Sequence, residues 1–287
     1  MKAVLGIITA EATERPEPQP LVAWWSFSKT VIAAAALVLV DRGKLELDGP
    51  VPRKPYTLRH LLQHTSGLPD YGSNLDYQRA VAAGESPWTV DELLRRTTPS
   101  TLLFEPGTRF SYSNIGYLFV RQIIERAADT DLSQALRTLV FNPLGIEGAS
   151  VASATEEFDA IVWGNTQRYD PRWVYHGCII GSLPWAATCL HRLLHNGLLA
   201  PATKAAMLLP RSYDADVNAP ADSGYGLGLM IEPVRPGERF GGHAGTGPGS
   251  TITVFSALMG RRTFAASAAN EAPDTFPKLI EHLRTLV

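Results

Sequence analysis

Three short stretches carry side chains whose types and spacing suit acyl chemistry. In AWWSFSKTVIAAAALVLVDRGK, residues 23–44, Ser26 and Lys29 stand three apart at the mouth of a long apolar run. On a helix that spacing puts them on one face, about one turn apart. Ser26 then sits where backbone N–H groups are unpaired and the helix dipole is positive, an environment that favours a developing oxyanion. A neutral lysine could take the serine proton, but an exposed lysine titrates near ~10.4, so burial or a nearby cation must first lower it. Trp24, Trp25 and Phe27 offer such burial. Ser28 is a rival nucleophile without a lysine three residues on. The plain alternative is that Lys29 is a solvated residue in the first turn of a core helix.

In FSYSNIGY, residues 110–117, Tyr112 and Asn114 flank Ser113 at a helix start. A tyrosine can relay a proton and an asparagine amide can hold a substrate carbonyl. The plain alternative here is that Asn114 only caps the helix, with Tyr112 in the core. In RFGGHAGTGPGS, residues 239–250, glycines allow close backbone approach to a ligand. His243 could donate or accept a proton, and the Thr246 N–H could join that of Ser26 as an oxyanion donor. Alone, this stretch also reads as a glycine-rich turn with a solvated histidine.

The surrounding elements follow from periodicity and caps. The apolar run predicts a helix over 26–41, closed by Gly43, with Arg42 and Lys44 near its negative end. Helices are expected from Thr57 (TLRHLLQH), from Thr89 with Glu92 at capping-box spacing, from Asn114, from Asp131 with Gln134, and over LPWAATCLHRLLHNG and APATKAAMLL. Residues 225–232, 250–258 and 262–269 read as strands, the last two joined by a turn at 259–262. The first dozen residues read as a strand, 12–20 as a proline-rich connector, and 274–287 as a closing helix. The expectation is an α/β (α+β) fold: one domain over 1–287, an antiparallel sheet flanked by helices. Its α/β lobe would come from about 1–50 and 205–287, with a mostly helical lobe at about 51–204.

Composition excludes several classes. The 287 residues are 45% hydrophobic and 19% charged with a net charge of -2, which is globular material without the basic footprint of a nucleic-acid binder. No apolar run is long enough to span a membrane. The N-terminal MKAVLGIITAEA is too short for a secretory signal, so a cytoplasmic location is expected, with Cys178 and Cys189 reduced and buried. No pattern speaks for a metal or cofactor, and none for an oligomeric state.

Taken together and in this order, the three stretches resemble the serine β-lactamase and penicillin-binding-protein superfamily, in its class C-like esterase and D-amino-acid-peptidase branch. Ser26-Phe27-Ser28-Lys29 matches the first motif, Tyr112-Ser113-Asn114 the second and His243-Ala244-Gly245 the third; LLQHTSGLPDY (61–71) and EPGTRFSYSNIGY (105–117) are also similar to that branch. The resemblance covers about residues 20–260. It implies Ser26 as the acylated nucleophile, with Lys29 and Tyr112 sharing acid/base duty. Asn114 would position the substrate amide or ester, and His243, Gly245 and Thr246 would line the opposite wall. The chemistry would be two-step acyl transfer from a β-lactam, D-amino-acid peptide or small ester. Only 25 residues precede Ser26, where family members usually have more, so a missing or replaced strand is expected. Histidine in place of the usual lysine gives a less permanent positive charge, which favours ester or amide substrates over those with a carboxylate.

Other signals are weaker. His191 and His195 lie four apart, but Arg192 stands where a zinc protease motif has glutamate, and a surface helix face is expected. His64 and Asp70 invite a Ser/His/Asp reading, but their loop looks structural in the family. The G-x-S-x-G elbow of α/β-hydrolases is absent. QRYDPRWVYHG (167–177) is expected to form a substrate wall, and the tryptophans to lie mostly in the core. Two further readings remain: a non-catalytic sensor or scaffold that binds without turnover, and an acyltransferase using the same serine.

Overall fold

The computed structural model describes residues 4–9, 20–97, 101–162, 169–213, 223–235, 238–258 and 264–270, with 4–9, 234–235 and 264–270 described by backbone path alone. In chain order these form β1 (Val4–Thr9), β2 (Leu21–Ala23), a 3-10 turn (Trp25–Phe27) and α1 (Ser28–Asp41). Then come α2 (Leu58–Leu62), α3 (Leu75–Ala82), α4 (Val90–Thr97), α5 (Asn114–Ala128) and α6 (Leu132–Leu136). A π turn (Arg137–Phe141) leads to α7 (Asn142–Leu144), β3 (Ala149–Ala152), α8 (Thr155–Asp159) and a second 3-10 turn (Pro171–Trp173). β4 (Cys178–Ser182), α9 (Leu183–His195) and α10 (Pro201–Met207) precede β5 (Gly224–Tyr225), β6 (Met230–Arg235), β7 (Glu238–Gly247), β8 (Ser250–Ala257) and β9 (Phe264–Asn270). The expected connector at 12–20, except its last residue, the turn at 259–262, the closing helix and Trp163 lie outside the described residues.

Six strands form an antiparallel sheet in the order β1-β9-β8-β7-β6-β5. The fold is thus of the expected α/β kind, with β1, read as a strand from sequence, paired to β9 at one edge. The strand expected over 225–232 is broken: β5 stops at Tyr225 and β6 starts at Met230, with Gly228 at φ 88° between them. A second antiparallel sheet, β2-β4-β3, was not anticipated. β4 is buried at all five positions, so it lacks the alternation that betrays a half-exposed strand.

Helix α1 is the axis of the core. Val31 to Leu37 are fully buried and the helix is apolar on all sides, as a helix with no solvent face must be. Each large side chain so buried contributes ~1.5–3 kcal/mol. Polar groups at its head tie it to both sheets' neighbourhoods. Ser28 Oγ accepts from the Ile179 N–H (2.9 Å), the Trp24 N–H donates to Ile179 O (2.8 Å), and Thr30 Oγ1 donates to Gly228 O (2.7 Å). At the other end Gly43 takes φ 65°, and Lys44 N–H reaches back to Leu39 O (2.9 Å), as a glycine-terminated helix does.

Two expectations change. The HRLLH face of α9 is not a free surface: α9 packs on β1, β8 and β9, His191 is buried, and the half-buried His195 imidazole lies 3.2 Å from Ala257 O. The sheet face, left apolar by β8, captures that side of the helix. The helix from Thr57 begins where expected, with Thr57 as its cap, but ends at Leu62, because His64 turns the chain at φ 57°.

Candidate active site

Ser26 is presented by a strained residue. Trp25, just before it, has φ 39°, a conformation that costs a non-glycine residue about 1–3 kcal/mol unless its surroundings enforce it. They do so here: its indole N–H donates to Ser250 Oγ in β8 (2.9 Å), and its ring meets Phe158 and Tyr169 edge-on. The expected single helix from residue 26 is therefore split. Ser26 lies in a 3-10 turn and remains partly exposed, while Lys29 falls in the first turn of α1 and is fully buried.

The Lys29 amine donates to Ser26 Oγ at 3.2 Å and lies 3.2 Å from His176 Nε2. It also sits 5.0 Å from the Tyr112 ring centroid and 5.7 Å from that of Tyr117. Burial pushes its pKa from 10.5 down to about 7, against the opposing pull of Asp70 and, more weakly, Cys178. Lys29 is thus no solvated first-turn residue.

Tyr112 is fixed from behind. His64 Nδ1 accepts from the Ser113 N–H (3.0 Å), and its ring lies against Tyr112 with centroids 4.1 Å apart. The Tyr112 hydroxyl lies close enough to Ser26 to interact with it, and desolvation raises its pKa well above the ordinary phenol range. The cap of α5 is Ser113, not Asn114: Ser113 Oγ accepts from the Gly116 N–H (3.1 Å) and donates to Pro69 O (2.8 Å). Asp70 adds a carboxylate at the same helix end, accepting from the Asn114 N–H (2.7 Å) and the Gly72 N–H (3.2 Å). With the backbone secured, the Asn114 side chain lines the cavity. His64 and Asp70 are therefore supports of the tyrosine motif, not a base and its partner.

The third motif lies on β7. Its pairing with β6 stops at Gly242, while β8 continues along the other side to Gly247. The freed edge runs beside Trp25 and Ser26. A Cβ on Gly245 would sit 2.7 Å from the Ser26 nitrogen, and one on Gly247 would strike the Trp25 ring, so glycine alone permits this approach. Thr246, between them, is exposed and lines the cavity. His243 departs from the expectation that it faces substrate. It is buried, its Nε2 lies 2.8 Å from the Tyr225 hydroxyl, and its Nδ1 is engaged by Ala244 O. Desolvation lowers its pKa to about 3, so it is neutral and backs Tyr112.

The cavity over Ser26 has a volume of about 230 Å³. One wall comes from the 169–177 stretch, through Tyr169, Val174 and His176, and another from Tyr71, Tyr77 and Val81. This wall is rigid: Tyr77 donates to Trp173 O (3.0 Å), Trp173 to Glu85 O (3.2 Å) and Tyr175 to Trp88 O (2.9 Å). No lysine, arginine, aspartate or glutamate is among the described residues lining the cavity. Sequence reasoning missed His176 as a site residue. Its only signal was membership of the wall stretch, since a histidine 147 residues from its lysine leaves no local pattern.

Fold and site together define the architecture of serine β-lactamases and penicillin-binding proteins. The chain belongs to the Beta-lactamase family, whose profile matches residues 3–284. It is 32% identical over 182 residues to esterase EstB of Burkholderia gladioli, covering 56% of this chain and 46% of that protein. To a D-aminopeptidase of Gluconobacter oxydans it is 32% identical over 118 residues, covering 40% and 21%. The matched region thus spans less than half the length of either relative. The fold is shared with D-amino acid amidase from Ochrobactrum anthropi SV3, at TM-score 0.79 and 20% identity over 99% of this chain and 92% of that one. No helix among the described residues is long and apolar enough to cross a membrane.

Proposed function

We propose that the protein is a serine hydrolase that acts through a covalent acyl-enzyme on an uncharged ester or amide. The observation that carries this reading is an accessible serine 3.2 Å from a fully buried lysine whose pKa is brought down to about 7. At neutral pH a sizeable fraction of Lys29 is then the free amine. It takes the Ser26 proton as Oγ attacks the substrate carbonyl carbon, and the carbonyl π electrons move onto oxygen. The Ser26 and Thr246 N–H groups receive that oxyanion. Tyr112 keeps its proton at neutral pH. From its place beside Ser26, it relays the proton held by Lys29 to the leaving alkoxide or amine. Asn114 orients the carbonyl group. Water then repeats the sequence in reverse and frees the acid.

The substrate class follows from the lining. Aromatic and aliphatic walls suit an apolar acyl group, and the described lining residues offer a β-lactam carboxylate no Lys or Arg to pair with. His243, neutral and engaged on both nitrogens, does not supply that charge. The esterase and D-aminopeptidase names of the relatives agree with an ester or amide substrate. The reading also takes the protein to be cytoplasmic, in keeping with its two free, buried cysteines.

A fluorophosphonate probe followed by peptide mass spectrometry tests the proposal. The adduct is expected on Ser26 and is expected to vanish in Ser26→Ala. An adduct elsewhere, or ligand binding without turnover that survives Ser26→Ala, would favour a non-catalytic binding protein.

A further inference from the structure

His176 is the side chain at this site that no motif accounts for. It is buried, yet it lines the cavity, and its Nε2 is 3.2 Å from Lys29 Nζ. The backbone that carries it is pinned. Gly177 N–H donates to Val174 O (2.7 Å), Arg121 to Tyr175 O (3.3 Å), and the Tyr175 N–H to the Tyr71 hydroxyl (3.3 Å). Its Nδ1 is buried with no hydrogen-bond partner among the described residues. A buried polar atom left unpaired is costly, which argues that the ring is held here for what its other nitrogen does.

We propose that His176 is a positioning residue for the general base, an uncharged acceptor that orients the Lys29 amine toward Ser26. This rests on the serine-hydrolase reading above. An ammonium has only donors, so while Lys29 is charged Nε2 must accept and the imidazole must carry its proton on Nδ1. When Lys29 is neutral it has two N–H bonds and one lone pair. Anchoring one N–H on His176 turns the lone pair to the Ser26 hydroxyl, the orientation needed to receive its proton. A carboxylate in this place would hold the amine as well but would favour the ammonium. The carboxylate that does act on Lys29, Asp70, has both oxygens occupied by backbone N–H groups and acts only through space. Lys29 is otherwise faced by Ser26, Tyr112, Tyr117 and Cys178, and His176 by the positive or titratable groups Arg121, His64 and His243.

The test compares His176→Leu, His176→Gln and His176→Glu in p-nitrophenyl ester hydrolysis across pH, with fluorophosphonate labelling of Ser26 and thermal melting alongside. The Leu variant is expected to lose roughly 30-fold in kcat with KM changed less than about threefold, the size of effect expected when a general base is misoriented. Gln, which keeps a neutral acceptor, should restore most of that loss. Glu should move the acid limb of kcat/KM upward by about one unit or more, because an anion stabilises the ammonium. A folded Leu variant with the wild-type rate would overturn the proposal. So would a Glu variant whose acid limb stays where it was, and that comparison stands even if the Leu variant fails to fold. If the wild-type protein is not labelled at Ser26, the hydrolase reading itself fails, which is a different result.

Discussion

Lys29 is a fully buried amine whose two hydrogen-bond partners, Ser26 and His176, are uncharged. Its folded pKa of about 7 lies below the 10.5 of an exposed lysine, so the unfolded chain binds more protons between those values. Folding stability at this residue therefore rises with pH from about 7 to 10.5, and the full penalty applies below about 7. Lys29→Met should raise the melting temperature at pH 6 while abolishing turnover, with a gain on the order of 3 kcal/mol. In the wild-type protein kcat/KM should climb about tenfold per pH unit on the acid side and level off above an inflection near 7. A flat profile between pH 5.5 and 8 would show that Lys29 is not the base. The cysteines make a separate prediction. Both are buried and their thiols are pushed up to about 12, so Ellman's reagent should find neither in the native protein and both after unfolding.

Two elements converge on the serine beside its own turn, β7 and α5, and each is held by a contact that can be cut singly. β7 is close because Gly245 has no side chain, so Gly245→Ala must shift β7 or the 3-10 turn. It should cost ~10²–10³ in kcat, the usual effect of a lost oxyanion donor, together with a fall in melting temperature, because the added methyl meets backbone and not the end of a flexible side chain. α5 delivers Tyr112 through its capped first turn. Ser113→Ala removes the acceptor for Gly116 N–H and the donor to Pro69 O. About 1 kcal/mol of stability should be lost, a fall of roughly 2–4 °C in melting temperature, together with a drop in kcat as Tyr112 loosens. Periodicity and cap residues make most of the helices legible in the sequence: Thr89 and Asp131 each accept a hydrogen bond from the N–H three residues on, as their spacing foretold, and Thr57 does the same at the start of α2. Where that reading fails, a distant partner has overridden local preference. α2 ends early at the His64 turn, whose ring is required behind Tyr112. β4 drew no strand expectation from the sequence because its pairing with β2 and β3 is long-range.

For the molecule as a whole, the uncharged character of the described residues that line the cavity sets the expected substrate order. A p-nitrophenyl ester with an apolar acyl chain should be turned over faster than nitrocefin or a D-alanyl peptide bearing a free carboxylate; the reverse order would mean that a cation reaches the site after all. The sequence alone was enough to single out the candidate set Ser26, Lys29, Tyr112 and Asn114, because they belong to motifs whose spacing is local: one helical turn, or one helix start. It also determined that a buried helix follows the serine, since no solvent-facing stripe interrupts residues 31–39. Only the tertiary structure decided how those groups are poised. The depression of the lysine's pKa, the retreat of His243 behind Tyr112 and the arrival of His176 beside Lys29 all depend on desolvation and on contacts between residues far apart in the chain. Such contacts are set when the sheets close around α1, and no short stretch of sequence encodes them.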